Sequence, residues 1–183
     1  MERCRLVFSG SGGQGVITAA IVLAEAAVIQ ENLVAVQTQV YGPEARGGAT
    51  RSDVIISDSE IYFPKVTQPN VLVCLNQEAY NKFYPVIRPG GLLVTDSRHV
   101  AIYRRVDARQ VEIPIYQTVM KKIGQPIVYN MCMLGAVVAL TELVRIDSVS
   151  KTLEKRVPAG YLDMNRQALN LGVQMGKNAL NQR

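Results

Sequence analysis

The chain has 183 residues, 48% of them hydrophobic and 19% charged, which is enough apolar material for one domain with a buried core and excludes wholesale disorder. Lys and Arg number 20 against 15 Asp and Glu, a net charge of +5. That excess suits an anionic small molecule or an acidic protein partner and is too small to argue for nucleic acid; 6% aromatics and no Trp also leave no base-stacking platform.

The longest apolar stretch, Val16 to Ile29, is broken by Thr18 and Glu25. It is shorter than the roughly 18–20 residues a membrane span needs. Met1-Glu2-Arg3-Cys4-Arg5 has no signal-peptide shape, so a soluble, cytoplasmic protein is expected. Cys4, Cys74 and Cys132 are far apart, odd in number and never in a CxxC pair. This argues against a disulfide frame, a zinc knuckle or a cluster held by this chain. A single histidine, His99, excludes a histidine-rich metal site.

In chain order, Arg5 to Ser9 reads as a short buried strand, followed at once by Gly10-Ser11-Gly12-Gly13-Gln14-Gly15. Val16 to Gln30 predicts a helix, apolar nearly all round and so buried between layers. Leu33 to Gln39 and Ser52 to Ser57 read as strands, joined by a turn-rich loop, Tyr41 to Arg51. Val71 to Leu75 is another apolar strand, Gln77 to Ile87 a helix closed by Pro89-Gly90-Gly91, and Leu92 to Thr95 a strand ending at Asp96. Val111-Glu112-Ile113 suits an edge strand.

The composition then turns helical. Asn130 predicts a cap for a helix through Val144, Ser148 or Ser150 a cap for a short helix ending before Pro158, and Tyr161 to Leu180 a last long helix. Gly172 and Gly176 lie near its apolar stripe. A helix-interior Gly costs about 1 kcal/mol relative to Ala, so the pair reads either as a close approach of another backbone or as two tolerated surface positions. Strands alternating with helices give an α/β, Rossmann-like layered fold with a mostly parallel sheet and a helical C-terminal part, residues 1–183 forming one domain.

Gly10, Gly12 and Gly15 satisfy GxGxxG between a strand and a helix. The chain must turn tightly, let a ligand approach the backbone, and present free N–H groups at a helix N-terminus, where a phosphate is the expected guest. The competing reading is a turn needed only for helix–strand packing. A dinucleotide site would need an acid at the end of the second strand to hold the ribose; that strand ends Gln37-Thr38-Gln39. The Walker pattern fails too, since Val16-Ile17 follow Gly15. Arg46 sits between the turns Gly42-Pro43 and Gly47-Gly48, where a guanidinium can fork onto a phosphate or carboxylate, or else pair with Glu44.

The runs Ser9-Gly10-Ser11-Gly12-Gly13-Gln14-Gly15-Val16, Gln37-Thr38-Gln39, Tyr41-Gly42-Pro43-Glu44-Ala45-Arg46-Gly47-Gly48 and Ser52 to Ser57 together resemble the gamma subunit of 2-oxoacid:ferredoxin oxidoreductases, most of all the 2-oxoglutarate type. The resemblance implies a complex that decarboxylates a 2-oxoacid, passes two electrons through iron–sulfur clusters to ferredoxin, and transfers the acyl group to coenzyme A. Thiamine diphosphate, Mg and the clusters would then sit on the alpha, beta and delta partner subunits. This chain would engage coenzyme A and be inactive alone. The expected contact residues are Gly10 through Gly15, Gln39, Tyr41, Arg46, Gly47, Gly48, Arg51, Asn76 and Asn130, with Asp96-Ser97 at the same sheet edge. The same loops read equally as a docking surface for a partner, and a homodimer of the isolated chain would replace missing partners. From another class, a stand-alone nucleotide- or CoA-responsive module remains the alternative. Cys74 and Cys132 lie in apolar runs and read as buried structural thiols.

Overall fold

The computed structural model describes residues 3–40 and 49–181. The apolar runs pair into one six-stranded sheet of order β2-β3-β1-β4-β5-β6. The strands are β1 (Cys4–Gly10), β2 (Val34–Val40), β3 (Thr50–Ser57), β4 (Val71–Cys74), β5 (Gly91–Asp96) and β6 (Ala108–Ile113). β1, β4, β5 and β6 are parallel neighbours, whereas β3 is antiparallel to both β1 and β2.

The reversal at β3 has a simple cause. A parallel connection needs a crossover of a dozen or more residues, and the segment between β2 and β3 is shorter than that. β3 therefore starts at the edge where β1 and β2 end: Thr50 lies opposite Gly10, and Arg51 opposite Val40.

Side chains alternate between the two faces, as the period of a strand requires. Leu6, Phe8, Val54, Ile56, Val71 and Val73 pack into the larger core, with α1 (Val16–Glu25), α4 (Tyr129–Thr141) and α5 (Ile146–Arg156). Val7, Ile55, Leu72, Cys74 and Leu93 form the smaller core, under α2 (Gln77–Phe83). The predicted helix from Val16 does run to Gln30, but its last turn, Ala26–Gln30, widens into a π-helix. α2 ends early because Pro85 follows, and the chain tightens into a 3-10 turn at Tyr84–Val86. An amphipathic helix that the sequence pattern did not announce, α3 (Ile115–Lys122), follows Pro114.

From Tyr129 to Ala139 every residue of α4 is buried, because α6 (Ala159–Asn181) covers its outer side. The two glycines of α6 mark that crossing. A Cβ on Gly172 would overlap the Cys132 carbonyl, and one on Gly176 would lie 2.6 Å from the Ala136 carbonyl oxygen. Gly135 on α4 answers them, since its Cβ would overlap the Leu169 carbonyl. Close backbone approach, rather than surface tolerance, is thus the reason for the pair.

α5 clasps the first helix from outside. Arg156 pairs with Glu25, and Arg145 Nε lies 3.1 Å from Glu31. Ser148, expected as a helix cap, instead lies inside α5 and donates to Glu31.

Candidate functional site

β1 delivers the glycine loop to the carboxyl edge of the sheet. The Ser9 carbonyl accepts from the Leu75 N–H at 2.9 Å, joining the exits of β1 and β4. Beyond Gly10 the loop is shaped from within. The Gln14 side-chain oxygen accepts from the Ser11 N–H at 2.7 Å, and its amide nitrogen donates to the Leu75 carbonyl at 3.3 Å. Gln14, expected to face a ligand, is thus the internal brace of the turn. A Cβ on Gly10 would displace the Gln14 oxygen from this brace.

Gly12 and Gly13 are the open part. Both are exposed, and a Cβ at either would meet nothing within 4 Å. Gly13 has φ +87° and Gly15 φ +70°, left-handed conformations that side chains disfavour. Gly15 is the N-cap of α1; no side chain caps that helix, and its first turn holds no acid. The first four N–H groups of a helix have no partner within it. Here they lie at the glycine loop, and the helix's own first turn sets no carboxylate against the positive end of its dipole. The arrangement can receive an anion.

The remaining expected contacts divide. Asn76 caps α2 by accepting from the Ala79 N–H at 2.8 Å, so its oxygen is spent on the fold. Asn130 does not cap α4, which begins at Tyr129 after a 3-10 turn at Pro126–Val128. It lies in the first turn, buried, and its amide donates to the Gly15 carbonyl at 3.3 Å. Gln39 lies near the end of β2, opposite Ser52. Arg51 forks onto Asp53 at 2.6 and 2.9 Å and donates to the Val66 carbonyl at 2.7 Å. Its guanidinium also sits 5.4 Å above the Phe83 ring. Arg51 thus ties β3 to the segment after it, and Asp53 already balances its charge. Tyr41, Gly42, Pro43, Glu44, Ala45, Arg46, Gly47 and Gly48 lie outside the described residues.

Asp96, expected to line the edge, is fully buried. Its carboxylate accepts from the Arg98 N–H at 2.8 Å, the Tyr116 N–H at 2.8 Å and the Tyr129 hydroxyl at 2.7 Å. Three donors satisfy the buried charge. Burial first, and the Asp96 charge second, push the Tyr129 phenol well above its ordinary range, so it stays a donor. The Tyr129 ring stands edge-on to Tyr116, centroids 5.7 Å apart, and Tyr116 stands edge-on to His99 at 4.9 Å. A strand-end Asp followed within forty residues by three Tyr, of which Tyr116 and Tyr129 join it, is the only sequence signal of this network.

Burial holds the thiols in their protonated form. Burial pushes Cys74 and Cys132 up to about 12 and Cys4 up to about 11. Among the described residues no group of three or more His, Cys, Asp or Glu side chains could hold a metal, and no helix is long and apolar enough to cross a membrane.

A family model described as pyruvate ferredoxin/flavodoxin oxidoreductase matches residues 5–175. The chain is 43% identical over 177 residues to 2-oxoglutarate synthase subunit KorC of Methanocaldococcus jannaschii, covering 96% of this chain and 95% of that protein. It superposes with TM-score 0.87 on the gamma subunit of a keto/oxoacid ferredoxin oxidoreductase from Geobacter sulfurreducens, at 39% identity, over 96% of this chain and 99% of that one. The fold recurs, with TM-score 0.86 and 23% identity, in 2-oxoglutarate:ferredoxin oxidoreductase of Magnetococcus marinus, a structure with 2-oxoglutarate, coenzyme A and succinyl-CoA bound. There it covers 97% of this chain but only 32% of the longer one.

Proposed function

This chain belongs to the pyruvate ferredoxin/flavodoxin oxidoreductase family, and from that premise we propose that it is the gamma subunit of a cytoplasmic 2-oxoglutarate:ferredoxin oxidoreductase. The complex converts 2-oxoglutarate, coenzyme A and oxidised ferredoxin to succinyl-CoA, CO2 and reduced ferredoxin. The chain works beside alpha, beta and delta subunits and has no activity alone. The likeness to a KorC subunit across nearly the whole length supports this reading over a stand-alone binding module.

Within the complex its task is to engage coenzyme A. The observation that carries this is the open, uncapped glycine loop at the carboxyl edge. The N–H groups around Gly12, Gly13 and the start of α1 hold the phosphate end by charge and hydrogen bonding, with Arg46 adding a guanidinium. Fixing the anionic end there orients the thiol toward a partner's site and lowers the entropic cost of the transfer. Thiamine diphosphate with Mg on the partner subunits supplies the decarboxylation chemistry, and iron–sulfur clusters carry the electrons. Gln14 and Asn130 hold the loop in place.

The test is the assembled complex carrying Gly12→Ala. The expected result is normal assembly, a raised KM for coenzyme A, and an unchanged KM for 2-oxoglutarate. Unchanged coenzyme A kinetics would remove the glycine loop from the site.

A further inference from the structure

The edge opposite the glycine loop, where β1, β4 and β5 begin, is also concave. One cavity there, of about 450 Å3, is lined by Arg5, Phe63, Lys65 and Arg88 among others. A second, of about 360 Å3, shares Arg88 and Pro89 with it and continues past Asn70 and Arg109 to Leu143. The two cavities meet at Arg88 and Pro89, and the first of them is the basic cleft. Among the described residues that line it there is no Asp or Glu.

Arg5, Lys65 and Arg88 make no ion pair with a carboxylate among the described residues. Arg5, Lys65 and Arg88 line the same cavity. Arg109 is held in place by donating to the Ala179 carbonyl at 3.3 Å.

The backbone under Arg88 is fixed. Its N–H donates to the Pro69 carbonyl at 3.1 Å, and the Gly90 N–H to the Asp107 carbonyl at 2.7 Å. Gly90 has φ +71°, and a Cβ on Gly91 would lie 2.9 Å from the Arg88 carbonyl. Beside the cleft stand two exposed aromatics, Phe63 at 62% and Tyr62 at 85% exposure.

We infer that this basic cleft and its aromatic lip are the docking surface for an acidic face of a partner subunit. Aromatic residues and Arg are the residue types enriched at protein interfaces and their energetic anchors. Cations over a concave surface select a negatively charged partner and speed its approach. Most of the cleft's wall beside Phe63 is polar or cationic, unlike the apolar lining of a small-ligand pocket. The placement leaves the glycine-loop edge free for coenzyme A. This inference rests on the proposed role in a complex; it adds which face of the subunit the assembly covers.

The experiment measures binding of the full-length chain to a subcomplex of the other subunits at low and moderate salt. Lys65→Glu/Arg88→Glu and Phe63→Ser are compared with the parent. All three changes lie on exposed side chains, and circular dichroism and Tm establish that each variant is folded. The expected result is parent binding that weakens with salt, a loss of roughly tenfold or more for the charge reversal with a flattened salt dependence, and a loss for Phe63→Ser at both salt levels. Should Lys65→Glu/Arg88→Glu perturb the fold, Lys65→Gln/Arg88→Gln gives the same readout with a smaller loss. Parent-like binding by folded variants would overturn the docking face and leave the proposed function standing. Failure of the parent chain itself to bind would overturn the proposed function, and this inference with it.

Discussion

The side-chain amide of Asn130 donates to the backbone carbonyl of Gly15 at 3.3 Å, tying the first turn of α4 to the residue that opens α1. The two residues are 115 positions apart in sequence. The glycine turn is therefore held from outside by a helix whose own start is fixed, through Tyr129, to Asp96.

Gly15 and Gly12 should respond oppositely to the same substitution. In Gly15→Ala the new Cβ would lie 2.5 Å from the Asn130 amide nitrogen, at a φ of +70°. The left-handed backbone alone costs about 1–2 kcal/mol, and a chain of this size loses roughly 2–4 °C of Tm per kcal/mol. Gly15→Ala should therefore unfold at least several degrees lower. Gly12→Ala has free space around it and should keep the parental Tm. Thermal unfolding followed by circular dichroism makes the comparison.

Asp96→Asn keeps the shape of the side chain and removes the charge that three donors address. Hydrogen bonds to charged groups are worth about 1.5–3 kcal/mol each. The substitution should cost about 2–4 kcal/mol, and Tyr129→Phe about half as much. Urea unfolding would read both, with an unchanged m-value showing that the folded state stays compact. Equal stability of Asp96→Asn and the parent would mean that the carboxylate is not the anchor it appears to be from its three contacts.

The cysteines offer a test of burial. With Cys74 and Cys132 pushed up to about 12 and Cys4 to about 11, almost no thiolate exists at pH 8. A thiol reagent added to the native chain at that pH should leave Cys74 and Cys132 unmodified. After unfolding in denaturant, all three cysteines should react. Peptide mass mapping distinguishes the sites.

Acid should loosen the clasp of α5. Hydrogen bonding from Arg156 lowers the Glu25 carboxyl below its ordinary range, and hydrogen bonding from Ser148 does the same for Glu31. A carboxyl lowered in the folded state binds its proton more tightly when unfolded. Its contribution is therefore present above the unfolded value, near 4.5, and is lost as pH falls through the lower folded values. Both pairs are partly exposed, so the effect is about 1 kcal/mol or less per pair. Arg156→Met should shrink the fall in Tm between pH 6 and pH 3.5, and raised salt should do likewise.

How far the sequence foretells these features depends on how local their causes are. The strands, the glycine turn and the long last helix follow from period and turn chemistry over a few residues. The spacing of Gly172 and Gly176 left close approach and surface tolerance equally open; packing against α4 decides for close approach, and Gly135 as their counterpart is a fact of packing between distant segments. The reversal of β3 was latent in the absence of a crossover helix. The Arg51–Asp53 fork was latent in an i, i+2 spacing that places both side chains on one face of a strand. What stayed hidden was the employment of polar groups. Gln14, Asn76, Asp96 and Asn130 have the residue types of ligand contacts, yet each is engaged by the fold itself, and only the tertiary arrangement decides between those uses.

The pairing of Val40 with Arg51 mounts the connection between β2 and β3 on one antiparallel ladder. Its two anchor points sit on adjacent strands of one ladder, about 4.8 Å apart. The sheet's wiring is consequently indifferent to how many residues lie between them. Such a mount is a socket: the segment from Tyr41 to Gly48 is open to exchange for a longer, shorter or differently charged one with every other strand keeping its neighbours. A graft of a different segment between Val40 and Thr50 should therefore keep the far-UV circular dichroism of the parent.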